Sequence, residues 1–363
     1  MTGPPLGSGP FKDGAHRVSD ISIRKVGLTG RITFTRPKAL NAMSYDMCIT
    51  IEDALDAWAN DDAVKMIVID AEGAKAFCAG GDIAELYDTG TKGDFAYGRK
   101  FWADEYRMNA KLFEFPKPVV SFMQGFTMGG GVGVGCHGSH RVVGNTSQIA
   151  MPECGIGLVP DVGGSLILAR APGRLGEFLG LTAARLNAAD AIYAGFADYF
   201  IPEDQWPALI ARLEDTADHT LIDAAASEPE AGPLTTQQAD IDANFGGETL
   251  NDVLNALKYS DSEFAAGALK KLSHNSPIAT GAALEIIHRV RQRDDIRFAL
   301  DQEYRFTFRA MEDGDFLEGI RAQIIDKDRN PQWKYSLDAL PPGIVTKMVL
   351  PLGADALTFE KGE

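Results

Sequence analysis

From Pro118 to His140 the chain carries no Asp, Glu, Lys or Arg. A stretch of that length could cross a bilayer. Yet it holds seven glycines, a glutamine and two histidines, a poor composition for a helix that must satisfy every backbone group in hydrocarbon. The stretch is therefore expected inside the protein, as buried structure beside a functional site. It contains Met128-Gly-Gly-Gly131, and short pieces on either side share its character. Phe77-Cys-Ala-Gly-Gly-Asp82 precedes it; Met151-Pro-Glu153 and Val159-Pro-Asp-Val-Gly-Gly164 follow.

The rest of the chain supplies elements to bury it. Ile21–Val26 and Arg31–Thr35 read as strands turning at Gly27–Gly30. After the loop Arg36–Ala42, Ser44 is expected to cap a helix whose apolar face (Met47, Ile51, Leu55, Trp58) recurs at helical spacing. Met66–Ile69 and Pro118–Phe122 are continuous apolar runs expected as buried strands, with a long helix over Asp94–Phe113 between them. Arg141–Val143, Gln148–Ala150 and Tyr199–Ile201 are short extended pieces, and beyond Gly164 the pattern is mainly helical. Strand–strand–helix units followed by helices predict an α/β core with an appended helical region. The expected division is a loose tail over 1–18, a core with the active site over 19–226, an acidic insertion or linker over 227–249, a C-terminal helical region over 250–340 and a tail over 341–363.

Composition narrows the function. The 35 basic and 51 acidic side chains give a formal charge of −16, which argues against nucleic acid or an anionic membrane as partner, while a local basic patch could still hold a phosphate. The cysteines at 48, 78, 136 and 154 form no C-x-x-C pair, so reduced thiols in a cytoplasmic setting are expected. The N-terminus has neither the apolar run of a signal peptide nor the Arg-rich pattern of a transit peptide.

Two glycine clusters, Gly80-Gly81 and Gly129-Gly130-Gly131, each follow an apolar strand and precede a helix start. One cluster alone means no more than a tight turn. Two could aim backbone N–H groups at a single oxygen, as an oxyanion hole requires. Glu153 and Asp161 sit in surroundings too apolar for solvated turns, where carboxyls acquire raised pKa values or partners and suit acid–base work. Gly133-Val-Gly-Cys-His-Gly138 matches a dinucleotide fingerprint, but too few residues separate it from Glu153 for the helix and second strand that motif needs. Cys136, His137 and His140 are too few for a metal site, and none is expected. Cys78 and Cys154 have no His–acid partner nearby in sequence and read as small buried residues.

Taken together, Phe-Cys-Ala-Gly-Gly-Asp, Met-Gly-Gly-Gly-Val-Gly, Met-Pro-Glu and Pro-Asp-Val-Gly-Gly resemble the crotonase (enoyl-CoA hydratase/isomerase) superfamily. Within it the chain is most similar to the 3-hydroxyisobutyryl-CoA hydrolases, over roughly residues 20 to 335, because it also carries Asp315-Phe-Leu-Glu-Gly-Ile-Arg-Ala322 and Ile325-Asp-Lys-Asp328 with Pro331 and Trp333. The resemblance implies a spiral of β-β-α units with a C-terminal helical region, an acyl-CoA substrate, no cofactor beyond the CoA of that substrate, and a homo-oligomer (a trimer or its multiple, or a dimer). It implies catalytic roles for Glu153 and Asp161, oxyanion-hole amides at Gly81 and Gly130, and a substrate contact at Glu105. The Arg36–Ala42 loop and Ala74–Phe77 match the part that holds the adenine end of CoA, which makes Lys38 a phosphate contact and Ala79 a substrate neighbour. Two departures matter. Enoyl-CoA hydratases carry a second glutamate at the position of Gly133, so its absence argues against hydration; double-bond isomerisation stays an alternative, and the retention of both acids and both glycine clusters disfavours a non-catalytic acyl-CoA binder. Ser165 stands where a third glycine is common.

Overall fold

A computed structural model describes residues 16–18 and 20–360. The expected N-terminal tail lies outside these for residues 1–15, while 16–18 form a strand. The strands are β1 (His16–Val18), β2 (Ile21–Val26), β3 (Thr29–Phe34), β4 (Met66–Ala71), β5 (Ala76–Cys78), β6 (Val119–Met123), β7 (Phe126–Met128), β8 (His140–Val143), β9 (Gln148–Ala150) and β10 (Tyr199–Phe200). They form a seven-stranded sheet in the order β1-β2-β3-β4-β6-β8-β10 and a three-stranded sheet β5-β7-β9.

That division is the spiral. β4, β6 and β8 are parallel neighbours in the large sheet, and each is followed within a few residues by its partner in the small sheet, β5, β7 or β9. The chain then returns through helical structure, giving three turns of one β-β-α superhelix. Met66, Ile67, Val68, Ile69, Val120 and Phe122 are fully buried, as parallel strands covered on both faces must be. The uncharged stretch from Pro118 to His140 becomes β6, β7 and a short helix, α4 (Gly130–Gly135), and no helix among the described residues is long and apolar enough to cross a membrane.

Two helices steady the frame. In α1 (Tyr45–Ala59) the Ser44 hydroxyl accepts the Met47 amide, and Met47, Ile51, Leu55 and Trp58 are all buried. In α3 (Ala96–Phe113) the buried Arg107 holds Glu52 of α1 through two hydrogen bonds of 2.6 and 2.8 Å. This pair fixes the rotation of α3, and with it the direction of Glu105.

The C-terminal half is more tightly integrated than the sequence suggests. The segment 227–249, expected as an acidic insertion or linker, carries the helix Leu234–Asn244, with Ile241 and Phe245 fully buried and Phe245 packed edge-on against Phe178. Residues 341–363, expected as a tail, include the helix Pro342–Met348. Met348 and Val349 are fully buried there, and Arg309 and Arg289 bind the carbonyls of both. In each case a few large apolar side chains, too few to stand out as a periodic pattern, find a groove in the core.

Candidate active site

The small sheet builds the site floor. Cys78, Thr127 and Ile149 lie level across β5, β7 and β9, so the residues just past each strand emerge side by side: Gly80-Gly81, Gly129-Gly130 and Pro152-Glu153. The first glycine of each pair has a left-handed backbone, φ +113 at Gly80 and +50 at Gly129. A Cβ at Gly129 would lie 2.8 Å from Glu153 Oε1, so only glycine fits. At Gly130 a Cβ would lie 3.2 Å from Glu105 Oε1 and 3.4 Å from the Gly81 amide nitrogen.

Among the described residues neither amide has a hydrogen-bond partner. Met43 pairs with this turn through Gly80 O and Asp82 N, leaving the Gly81 N–H between them unbonded, and Gly130 is the first residue of its helix, where the N–H has no acceptor one turn back. Both border a cavity of about 270 Å³, together with Glu105, Glu153 and Asp161. Apolar walls come from Leu86, Phe101, Trp102, Leu158 and Phe316, and Ile324 stands at 43% exposure. Phe316 and Ile324 belong to the C-terminal region, so the cavity wall extends beyond residues 19–226.

The three acids are almost completely buried, Glu105 at 3% exposure and Glu153 and Asp161 at 4% each. Glu153 Oε2 has no hydrogen-bond partner. Burial, and then the Asp161 charge, push Glu153 and Glu105 well above the ordinary carboxyl range. Asp161 is pushed up to about 7 by burial, held back by the Tyr106 hydroxyl that donates to its Oδ2 at 2.7 Å. Buried carboxyls that oppose one another's charge hold their protons beyond the ordinary carboxyl range, a condition that suits acid–base chemistry.

The remaining expected residues divide. Ala79 borders the cavity, and its amide donates to Leu40 O at 3.0 Å. Lys38 is exposed on the short turn Pro37–Ala39, outside the cavity lining. The loop around it is pinned by Asn41, whose side chain bonds the Arg36 amide and the carbonyls of Glu72 and Ala76. His137 Nε2 donates to Val162 O at 2.7 Å, whereas His140 stacks on Tyr199 elsewhere. All four cysteines are buried and free. Gly133 packs so closely that a Cβ would meet Asn109 Nδ2 and Val162 Cβ at 2.7 Å each.

Tyr106 and Glu303 were not singled out from sequence. Tyr106 adjoins Glu105, and Glu303 interrupts the apolar face Ile296, Ala299, Leu300, Phe306, Ala310 of the helix Ile296–Ala310. An acid at a core-facing position was the available signal for Glu303. It accepts the Gly163 amide at 2.8 Å and the Ser165 amide at 3.0 Å, and burial pushes it up to about 8.

These carboxyls predict how stability depends on pH. A carboxyl that binds its proton more tightly when folded contributes a penalty that starts above its unfolded value, about 4, and grows until pH passes the folded value. For Asp161 and Glu303 those upper ends lie near 7 and 8. At about 1.4 kcal/mol per tenfold change in proton affinity, raising Asp161 from 3.8 to about 7 costs the fold about 4 kcal/mol above neutrality. Thermal unfolding should therefore give its highest Tm near about pH 5 and fall toward about pH 8. A Tm that rises over that interval would contradict the assignment.

Comparison with known proteins agrees with this geometry. The family model described as enoyl-CoA hydratase/isomerase matches residues 29–349. A 3-hydroxyisobutyryl-CoA hydrolase, mitochondrial, of Gallus gallus is 34% identical over 351 residues, covering 93% of this chain and 91% of that one. The crystal structure of an enoyl-CoA hydratase from Rhodobacter sphaeroides 2.4.1 superposes with a TM-score of 0.89 at 55% identity, covering 94% of this chain and all of that one. A carnitinyl-CoA dehydratase from Mycobacterium thermoresistibile gives 0.89 at 39% identity, covering 95% of this chain and all of that one. By this match and by its crotonase fold, the chain belongs to the enoyl-CoA hydratase/isomerase family.

Proposed function

We propose that this chain hydrolyses the thioester of a short 3-hydroxyacyl-CoA, converting 3-hydroxyisobutyryl-CoA and water into 3-hydroxyisobutyrate and CoA. The observation that carries the reading is the pair of unbonded amides, Gly81 and Gly130, on one small cavity with Glu153 and Asp161. The thioester carbonyl oxygen accepts from both amides, which stabilise the charge that develops when its carbon is attacked. Glu153 either attacks that carbon, giving a mixed anhydride that water cleaves, or takes a proton from the attacking water. Asp161 donates the proton that lets CoA leave as a thiol, or binds the 3-hydroxyl, and Glu105 contacts the acyl group. Single turnover in heavy-oxygen water separates the two routes: label in the Glu153 carboxylate marks the anhydride.

Hydration of an enoyl-CoA is the second reading, favoured by the name of the Rhodobacter sphaeroides protein. Gly133 weighs against it, because the site then holds no second glutamate in the hydratase position and has no space for one. Incubation with 3-hydroxyisobutyryl-CoA and with crotonyl-CoA decides. Thiol release from the hydroxyacyl thioester alone is expected; loss of enone absorbance without thiol release would overturn the hydrolase reading. The same reading places the reaction in valine catabolism and assigns Lys38 to a CoA phosphate. A homo-oligomer fits the family. A cytoplasmic location is supported by four free cysteines, although animal relatives are named mitochondrial.

A further inference from the structure

The turn that presents Asp161 is strained. Val162 has φ +53 and Gly163 follows at φ +79. A β-branched residue in the left-handed region is an outlier that persists only where its surroundings impose it. Here they do so from two sides. His137 Nε2 donates to the Val162 carbonyl at 2.7 Å. Opposite, Glu303 accepts the Gly163 amide on Oε2 and the Ser165 amide on Oε1, at 2.8 and 3.0 Å, and the Ser165 hydroxyl makes a further, short bond to Oε1. Because both oxygens receive an N–H, a glutamine could not serve: its amide nitrogen would face a donor.

The same helix reaches Asp161 by a second route. Thr307, one turn beyond Glu303, lies 3.5 Å from the Tyr106 hydroxyl that donates to Asp161 Oδ2. The groups around Asp161 are therefore Glu105 and Tyr106 from α3, Glu153 from the neighbouring turn, and Glu303 with Thr307 from the helix Ile296–Ala310. No lysine, arginine or histidine pairs with Glu303 among the described residues, so its carboxyl serves this turn alone. Ser165 supplies two of the bonds that close the clamp, from its amide and its hydroxyl.

We propose that Glu303 is a positioning residue for Asp161: by locking the strained turn Asp161–Ser165 from behind, it fixes where the Asp161 carboxyl stands relative to the substrate. This rests on the hydrolase reading, in which Asp161 acts on the substrate while Glu303 touches none of it. A helix cap with no functional consequence is the competing account, and it predicts lost stability with unchanged turnover.

The test compares Glu303→Gln, Glu303→Asp and Ser165→Ala in the full-length protein. Glu303→Gln should lower kcat for 3-hydroxyisobutyryl-CoA about 10²-fold with KM within about 3-fold, the loss expected when a reacting group shifts by about 1 Å. Glu303→Asp should recover most of that kcat. Ser165→Ala keeps both amide bonds and should lower kcat only about 3-fold, and it stands as the test if Glu303→Gln does not fold. Hydrogen exchange at the Gly163 and Ser165 amides reads the clamp without any activity: both should lose protection in Glu303→Gln, and Ser165 should lose part of it in Ser165→Ala. Folded variants with wild-type kcat would overturn the proposal, as would unchanged exchange. A wild-type protein that releases no thiol, yet whose exchange responds as expected, would sink the hydrolase reading and leave the clamp standing.

Discussion

Glu153→Gln is expected to lower kcat for thioester hydrolysis by about 10³-fold or more and, at about pH 8, to raise Tm by about 2–5 °C. The two effects share one cause. Glu153 is 4% exposed, its Oε2 has no partner, and burial with the Asp161 charge pushes its pKa well above the usual range. When Glu153 ionises, the fold therefore carries a buried carboxyl charge that the Asp161 charge opposes. Glutamine keeps the shape and removes the charge, so stability is gained where chemistry is lost, a trade-off characteristic of strained functional sites. The sign follows from linkage: the gain should shrink as pH falls and vanish below about pH 4, where Glu153 is protonated in both folded and unfolded chains. CoA affinity should stay within about 3-fold, because the amides and apolar walls are untouched. Turnover within about 10-fold of wild type would remove Glu153 from the reaction.

Gly133→Glu, which places a glutamate where hydratases carry their second one, is expected to abolish soluble folding rather than create a hydratase. A Cβ at 133 would sit 2.7 Å from both Asn109 Nδ2 and Val162 Cβ. These neighbours belong to α3 and to the Asp161 turn, and neither yields without moving the site. Replacing a helical glycine by alanine ordinarily gains about 1 kcal/mol; here overpacking, about 1–3 kcal/mol, outweighs it. Gly133→Ala should thus lower stability by about 1–2 kcal/mol in chemical denaturation and reduce kcat about 10-fold through Val162. The glutamate adds an unpaired buried charge, worth several kcal/mol more. A folded Gly133→Glu protein that hydrates crotonyl-CoA would show that the position has room, and would reopen the hydratase reading.

The parts of the fold that repeat a pattern were legible in the sequence. The α1 face of Met47, Ile51, Leu55 and Trp58, the runs that became β4 and β6, and the strands β2, β8 and β9 follow from periodicity and apolar length. β5 and β7 were not, since each runs straight into a glycine cluster that reads as a turn, and each is held by neighbours distant in sequence. The helices Leu234–Asn244 and Pro342–Met348 were missed for a related reason. Each anchors through one to three large buried side chains, and those have meaning only beside the groove they fill.

What the residues alone determined about this protein was a set of candidate groups: glycine clusters after apolar strands, and carboxyls in surroundings too apolar to solvate them. Tertiary structure decided how those groups meet. Three short parallel strands set Gly81, Gly130 and Glu153 side by side, α3 turns Glu105 and Tyr106 inward, and a helix from the far end of the chain clamps the turn of Asp161. The physical reason is that residue type and local spacing are written along one dimension. Hydrogen-bond register between strands, and the burial that raises a carboxyl pKa, exist only once distant segments have packed.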